Sequence, residues 1–163
     1  MPAQTVIDSL EFARTGQSLS GSLPIEGLAR LKDNLHDGLG EVRFEVRGAH
    51  DGRGRPVLML DIRGLLHLQC QRCLGMLEHP LWVSNTLLLT GPGAAEFEED
   101  EAESIEASSE LDVVGLVEDE IILSLPYSPR HEEGTCRQAD GAQAGRGVAG
   151  AFEKLASLKR QSH

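Results

Sequence analysis

Hydrophobic and polar positions alternate most strictly in GLGEVRFEVRG, residues 38–48. Val42, Phe44 and Val46 fall on one side of an extended chain, and Arg43, Glu45 and Arg47 on the other. A period of two is the signature of a strand with one buried face. AHDGRGRP (49–56) follows as a turn, punctuated by Gly52, Gly54 and Pro56. VLMLDIRGLLHLQ (57–69) reads as a long second strand, with an expected bulge at the interior Gly64. LEHPLWVSNTLLLT (77–90) reads as a third. Neighbouring strands joined by short turns predict an antiparallel meander.

The period changes on either side of these strands. TVIDSLEFA (5–13) alternates loosely and is expected to be a short strand. In SLSGSLPIEGLARLKDNL (18–35), Leu28, Leu31 and Leu35 lie three and four apart. That spacing predicts one face of a helix, with Pro24 in its first turn. LDVVGLVEDEIILSLP (111–126) is the strongest helix candidate. Asp112 is placed to cap it, and Val113, Leu116, Val117, Ile121, Ser124 and Leu125 recur at helical spacing. Pro126 stops it. The adjacent acids Glu118, Asp119 and Glu120 point in different directions on a helix, so they read as a solvated face.

The fold class expected is therefore α+β, an antiparallel β-meander with packed helices, in one domain over residues 1–136. GPGAAEFEEDEAESIEASSE (91–110) holds seven acids between Glu96 and Glu106 and reads as a disordered acidic loop. RQADGAQAGRGVAG (137–150) reads as a flexible linker, and AFEKLASLKRQSH (151–163) as a short basic helix.

Charge sharpens this division. The net charge of −11 is not evenly spread. Residues 41–73 carry six Arg against four acids, whereas residues 74–136 carry one basic group and fifteen acids. Residues 137–163 turn basic again, with five basic and two acidic groups. No run is long and apolar enough for a membrane span, and the start MPAQTVIDSLEFAR lacks the basic and apolar regions of a secretory signal. Three cysteines in 163 residues argue against a disulfide framework and for a reduced, cytoplasmic setting.

Two of those cysteines form the C-x-x-C of LQCQRCLG, Cys70 and Cys73. The spacing fits a disulfide, a redox dithiol or half of a metal site. The ring of such a disulfide would be very small, and the compartment opposes it. A redox dithiol needs a thiolate beside a cation or a helix N-terminus; Arg72 can supply the cation, but strands flank the pair on both sides. A turn at the tip of a hairpin, a zinc-knuckle-like turn, would instead point both sulfurs to one side. His131 and Cys136, spaced H-x4-C, then offer the other half. A Cys3His tetrahedron of Cys70, Cys73, His131 and Cys136 would be a closed, structural zinc site. The alternative is that Cys136 is a stray thiol and His131 a surface residue. His36, His50, His67, His79 and His163 have no partner at a ligand spacing. No Ser/His/Asp set, phosphate-cradling glycine loop or H-E-x-x-H is present, so the sequence points away from an enzyme.

LQCQRCLG after an apolar strand, then LVEDEIILSLPYSPRHEEGTC, then a terminal FEKLASLKR, together resemble the bacterial YceD family. An earlier, looser run of Ala13, Arg14, Gly21, Leu23, Leu28, Arg30 and Leu31 fits the same resemblance. It implies a cytoplasmic, non-enzymatic factor of ribosome biogenesis, tied to accumulation of the large-subunit 23S ribosomal RNA through its synthesis, processing or stability. It also supports His131 and Cys136 as the second ligand pair. The partner implied is that RNA or its precursor, reached directly or through a ribosomal protein; no membrane and no small-molecule substrate are expected.

Three functions follow from these residues. One is direct RNA contact through Arg43, Arg47, Arg53, Arg55 and Arg72, joined by Lys154, Lys159 and Arg160. With few aromatics to stack on bases, such contact is expected to be led by shape and phosphate. The second is an adaptor whose acidic residues 74–136 meet a basic ribosomal protein. The third is a thiol redox protein using Cys70 and Cys73.

Overall fold

The computed structural model of the chain describes residues 6–92 and 103–136. The expected linker 137–150 and the basic helix 151–163, with Lys154, Lys159 and Arg160, lie outside the described residues, as does the acidic stretch 93–102.

The elements run β1 (Val6–Ile7), α1 (Ser9–Arg14), β2 (Ser18–Pro24), β3 (Glu41–His50), β4 (Pro56–Gln69), β5 (Met76–Thr90), β6 (Ser104–Glu106), β7 (Leu111–Asp112) and α2 (Val113–Ser124). Among the described residues, five strands form one sheet in the order β2-β3-β4-β5-β6, and β1 pairs with β7. β3 to β5 are the antiparallel meander that the alternation predicts, and β2 extends it at one edge. The inward residues Val42, Phe44, Val46, Leu58, Leu60, Ile62, Leu66, Leu68, Leu81, Val83, Leu87 and Leu89 are buried in one core. At roughly 25 cal/mol per Å² of apolar area removed from water, this set is the largest stabilising contribution in the chain.

Gly64 is not a bulge. β3–β4 and β4–β5 keep constant register through it, pairing it with Val42 and Leu81. A Cβ there would sit 2.9 Å from Val42 Cγ1, so close approach is what demands glycine. Gly48 is tighter still: a Cβ would fall 2.2 Å from the Phe12 carbonyl oxygen, which lets α1 lie directly on β3.

The N-terminal third departs from expectation. The strand expected over 5–13 stops at Ile7, and Asp8 caps α1 by accepting from the Glu11 amide. The helix expected around Leu28, Leu31 and Leu35 does not form. Residues 18–24 are an edge strand, with Leu19 and Leu23 half-buried and Ser20 and Ser22 exposed. Pro24 ends that strand, where a missing N–H is tolerated. Two single 3₁₀ turns follow, Ile25–Gly27 and Lys32–Asn34, and they bury Ile25, Leu28 and Leu31 without a helix. Leu35 then bridges to Leu68, extending the cover along β4. Among the described residues, α-helix packing is thus limited to the six residues of α1 and the twelve of α2. Ser104–Glu106, read as loop from its composition, pairs parallel to β5.

α2 is capped by Asp112, whose side chain accepts from Val114 N, and it buries Val113, Leu116, Val117 and Ile121 as the spacing predicts. Its acids are not all solvated, however. Glu118 is 6% exposed and Glu120 5%. Glu118 Oε1 accepts from the backbone N–H of Arg30 at 2.7 Å and of Leu31 at 3.1 Å, and Oε2 accepts from Arg30 Nε at 3.0 Å. The carboxylate therefore satisfies a stretch of backbone that has no helix of its own. Glu120 accepts from Asn85 Nδ2 at 2.9 Å, and burial holds its carboxyl above the ordinary range.

Glu118→Ala strands two amides beneath the surface and is expected to cost about 2–4 kcal/mol in urea unfolding. Asp119→Ala, which removes an exposed partner of the same Arg30, is expected to cost less than about 1 kcal/mol. Equal losses for the two would show that the buried carboxylate is not the anchor.

Candidate metal centre

β4 ends at Gln69 and the chain turns at once. Leu74 N donates to Cys70 O and Cys70 N donates to Gly75 O, both at 2.9 Å, closing the tip of the β4–β5 hairpin. Leu74 sits at φ 59, a left-handed conformation that costs a non-glycine residue about 1 kcal/mol. At the next position, a Cβ on Gly75 would press to 3.4 Å from Cys73 Sγ. The tip is thus shaped around the two sulfurs.

The loop after α2 is tied to this tip. Gln71 N donates to Pro129 O at 2.8 Å, and His131 N approaches Cys70 Sγ at 3.5 Å. Cys70, Cys73, His131 and Cys136 then converge, their ligand atoms all within 4.8 Å of one another. Cys70 Sγ lies 3.9 Å from Cys136 Sγ. His131 Nδ1 lies 3.4 Å from Cys73 Sγ and 3.7 Å from Cys136 Sγ. A tetrahedron with metal–sulfur bonds of about 2.3 Å has edges of about 3.8 Å, so the spacing suits a common central ion.

Protonation fits the same role. His131 Nε2 lies 3.0 Å from the Met76 carbonyl, which can only accept. The ring proton therefore sits on Nε2 and the Nδ1 lone pair faces the sulfurs, as an imidazole ligand requires. Backbone N–H groups, that of Cys73 foremost and then those of His131 and Arg72, lower the Cys70 thiol to about 5. Cys70 is fully buried, and its thiolate is a ready ligand. Burial moves the Cys136 thiol in the other direction, above its ordinary value, so this group gives up its proton when a metal binds. The three cysteines form no disulfide.

The arginines singled out in the sequence do not form one patch. Arg43 and Arg47 lie on the exposed face of β3. Arg53 and Arg55 occupy the β3–β4 turn, where Asp51 accepts from both backbone amides and from Arg55 Nε at 2.7 Å. Arg72 is at the opposite end of β4, a separation of about 45 Å for a strand of this length. Sequence reading missed Arg63, which pairs with Arg43 across β3–β4, and Trp82, which pairs with Arg63 across β4–β5. It also missed His67, whose Nδ1 lies 2.8 Å from Asp37.

A family model described as large ribosomal RNA subunit accumulation protein YceD matches residues 58–159, more than half of the chain. The chain belongs to the YceD family. The YceD match begins in β4 and takes in both halves of the Cys/His cluster. The family's description ties the chain to accumulation of the large ribosomal RNA. No solved structure matches the chain. Among the described residues, no helix is long and apolar enough to cross a membrane.

Cobalt(II) added to the reduced, chelator-treated chain is expected to give thiolate charge-transfer absorption and the visible bands of a tetrahedral site. Cys136→Ser should change that spectrum and weaken binding. Because the Cys136 thiol must release its proton to bind, metal affinity should fall steadily as the pH is lowered through neutrality, and more steeply near pH 5, where Cys70 also takes up a proton. An octahedral cobalt spectrum, unchanged in C136S, would mean that the four residues do not ligate together.

Proposed function

We propose that this chain is a cytoplasmic, non-enzymatic factor that promotes accumulation of 23S ribosomal RNA by binding it or its precursor, on a fold cross-linked by a structural zinc ion. Membership of the YceD family carries the first part of the reading. The convergence of Cys70, Cys73, His131 and Cys136 carries the second. Three thiols and an imidazole are the donor set that suits zinc, and four protein ligands leave no open position for a substrate or an activated water.

A low thiol pKa is also what a redox dithiol needs. The burial of Cys70, and the arrival of a third sulfur and an imidazole nitrogen at ligand distance, favour the metal. In the zinc-knuckle-like turn, zinc would hold the post-α2 loop on the hairpin tip, and its role would be to keep the binding surfaces in place.

The protein purified under reducing conditions is expected to carry about one zinc per chain, and chelation should lower its thermal midpoint by several degrees. Metal-free protein of unchanged midpoint, able to reduce a model disulfide, would return the cysteines to redox chemistry.

In-cell UV crosslinking of the tagged chain, followed by sequencing of the attached RNA, is expected to give discrete peaks on large-subunit RNA or its precursor. Background crosslinking with a basic ribosomal protein co-purifying would replace direct contact by the adaptor mechanism.

A further inference from the structure

Among the described residues, the helices cover the sheet on one side only. α1, α2 and the 3₁₀ turns pack against the face that carries the buried leucines and valines. On the opposite face Met59, Leu65, Met76 and Trp82 are all exposed among the described residues. Trp82, the chain's one tryptophan, is 73% exposed. An aromatic side chain left this wet on a sheet surface contributes little to folding.

The register puts Trp82 in a specific row. Ser22 pairs with Arg43, Arg43 with Arg63, and Arg63 with Trp82, so the four side chains cross β2, β3, β4 and β5 in line. At about 4.8 Å per strand the row is about 14 Å long. The Arg63 guanidinium lies over the indole, 4.9 Å from the ring centroid. A shallow open depression of about 850 Å³ covers the β2–β4 part of the row, stopping short of Trp82, and its lining includes Ser22, Arg43, Arg47 and Arg63 together with Glu45 and Asp61.

Arg43 and Arg63 stand directly opposite each other, and like charges in that relation destabilise an antiparallel pair. Neighbours do not cancel the repulsion. Among the described residues, Arg63 has no carboxylate partner, and Arg43 has Glu41 at 3.7 Å in an exposed pair of little strength. An anion between the two guanidinium groups would remove the conflict. The adjacent rows carry carboxylates: Glu45 faces Asp61 on one side, and Glu41 lies on the other. The positive strip is therefore one row wide, too narrow for the two phosphate backbones of a duplex.

We propose that this row is a single-stranded RNA platform, on which a phosphate lies between Arg43 and Arg63 and the neighbouring base stacks on the Arg63–Trp82 pair. The inference rests on the RNA-binding reading and adds the place and the strandedness. Stacking on one indole is tolerant of sequence, because every base has a π-face. The Ser20 and Ser22 hydroxyls supply neutral donors at the edge of the row. An acidic peptide has the charge for the arginine pair but no planar ring for the Arg–Trp stack, which favours RNA as the occupant.

The test uses the full chain with short oligouridylate, the matched oligoadenylate–oligouridylate duplex and polyglutamate as probes. Oligouridylate is expected to quench Trp82 emission and to bind more tightly than the duplex. Trp82→Ala should weaken binding about tenfold and leave its salt dependence unchanged, while Trp82→Phe retains most of the affinity. The double variant R43Q/R63Q, which gives up the one phosphate between the two guanidinium groups, should reduce the slope of log affinity against log salt by about 0.7. Removing the like-charge pair should also leave the thermal midpoint equal or higher, which a merely structural arginine pair would not.

Oligouridylate binding that ignores all three variants would overturn the platform while leaving RNA contact elsewhere on the chain. Preference for the duplex would overturn the single-strand assignment. Quenching by polyglutamate and not by RNA would give the row to an acidic protein. If no RNA binds in vitro and none crosslinks in cells, the platform and the direct-contact reading fall together.

Discussion

The pairing of β4 with β5 is the constraint on which the rest of the molecule depends. Its register is unbroken from Val57↔Leu88 to Gln69↔Met76. A slip of one residue would turn Leu60, Ile62, Leu66, Leu81, Val83 and Leu87 out of the core together, so the buried face enforces the register. The same register sets Cys70 and Cys73 at the tip and brings Arg63 beside Trp82 on the outer face. One hairpin thereby serves the Cys/His cluster at its end and the exposed row on its flank.

A second element closes the core. The segment around Leu28 and Leu31 has apolar side chains to bury but no regular hydrogen bonding with which to bury them. Glu118 of α2 supplies the missing acceptors. A charged group is a costly lid for a core unless its lone pairs are used, and here backbone amides and the Arg30 side chain use them. The local excess of acid is thus partly architectural, which the net charge of the whole chain conceals.

Most of the meander and α2 were legible in the sequence because their periods are two and near 3.6 over long windows. Leu28, Leu31 and Leu35 share the spacing of a helix but are delivered by separate turns, and the competing alternation of Leu19, Gly21 and Leu23 was the signal of the edge strand. Composition marked 91–110 as a disordered acidic loop, yet within it Ser104, Ile105 and Glu106 suffice to pair with β5. The ligand cluster was legible because C-x-x-C and H-x4-C are each local spacings. Arg63 and Trp82 were not, since neither belongs to a motif and they meet only through cross-strand register. The lowered pKa of Cys70 was equally hidden, because it comes from backbone amides whose directions no composition records.

The tie between hairpin tip and loop has a consequence in polymer terms. Cys73 and His131 are 58 positions apart along the chain. A metal held between them would join two distant points of the unfolded polymer and remove its freedom to separate them, as a disulfide does. For a loop of this length the chain-entropy estimate is about 4 kcal/mol, a large share of a small domain's net stability. β5, residues 93–102 and α2 all lie between Cys73 and His131 in the sequence, so a metal bound there would close a ring that contains the acidic stretch. Lengthening such a stretch raises the entropy of closure only logarithmically. A ring closed in this way would tolerate segments of widely different length between its two ends without loosening the tip.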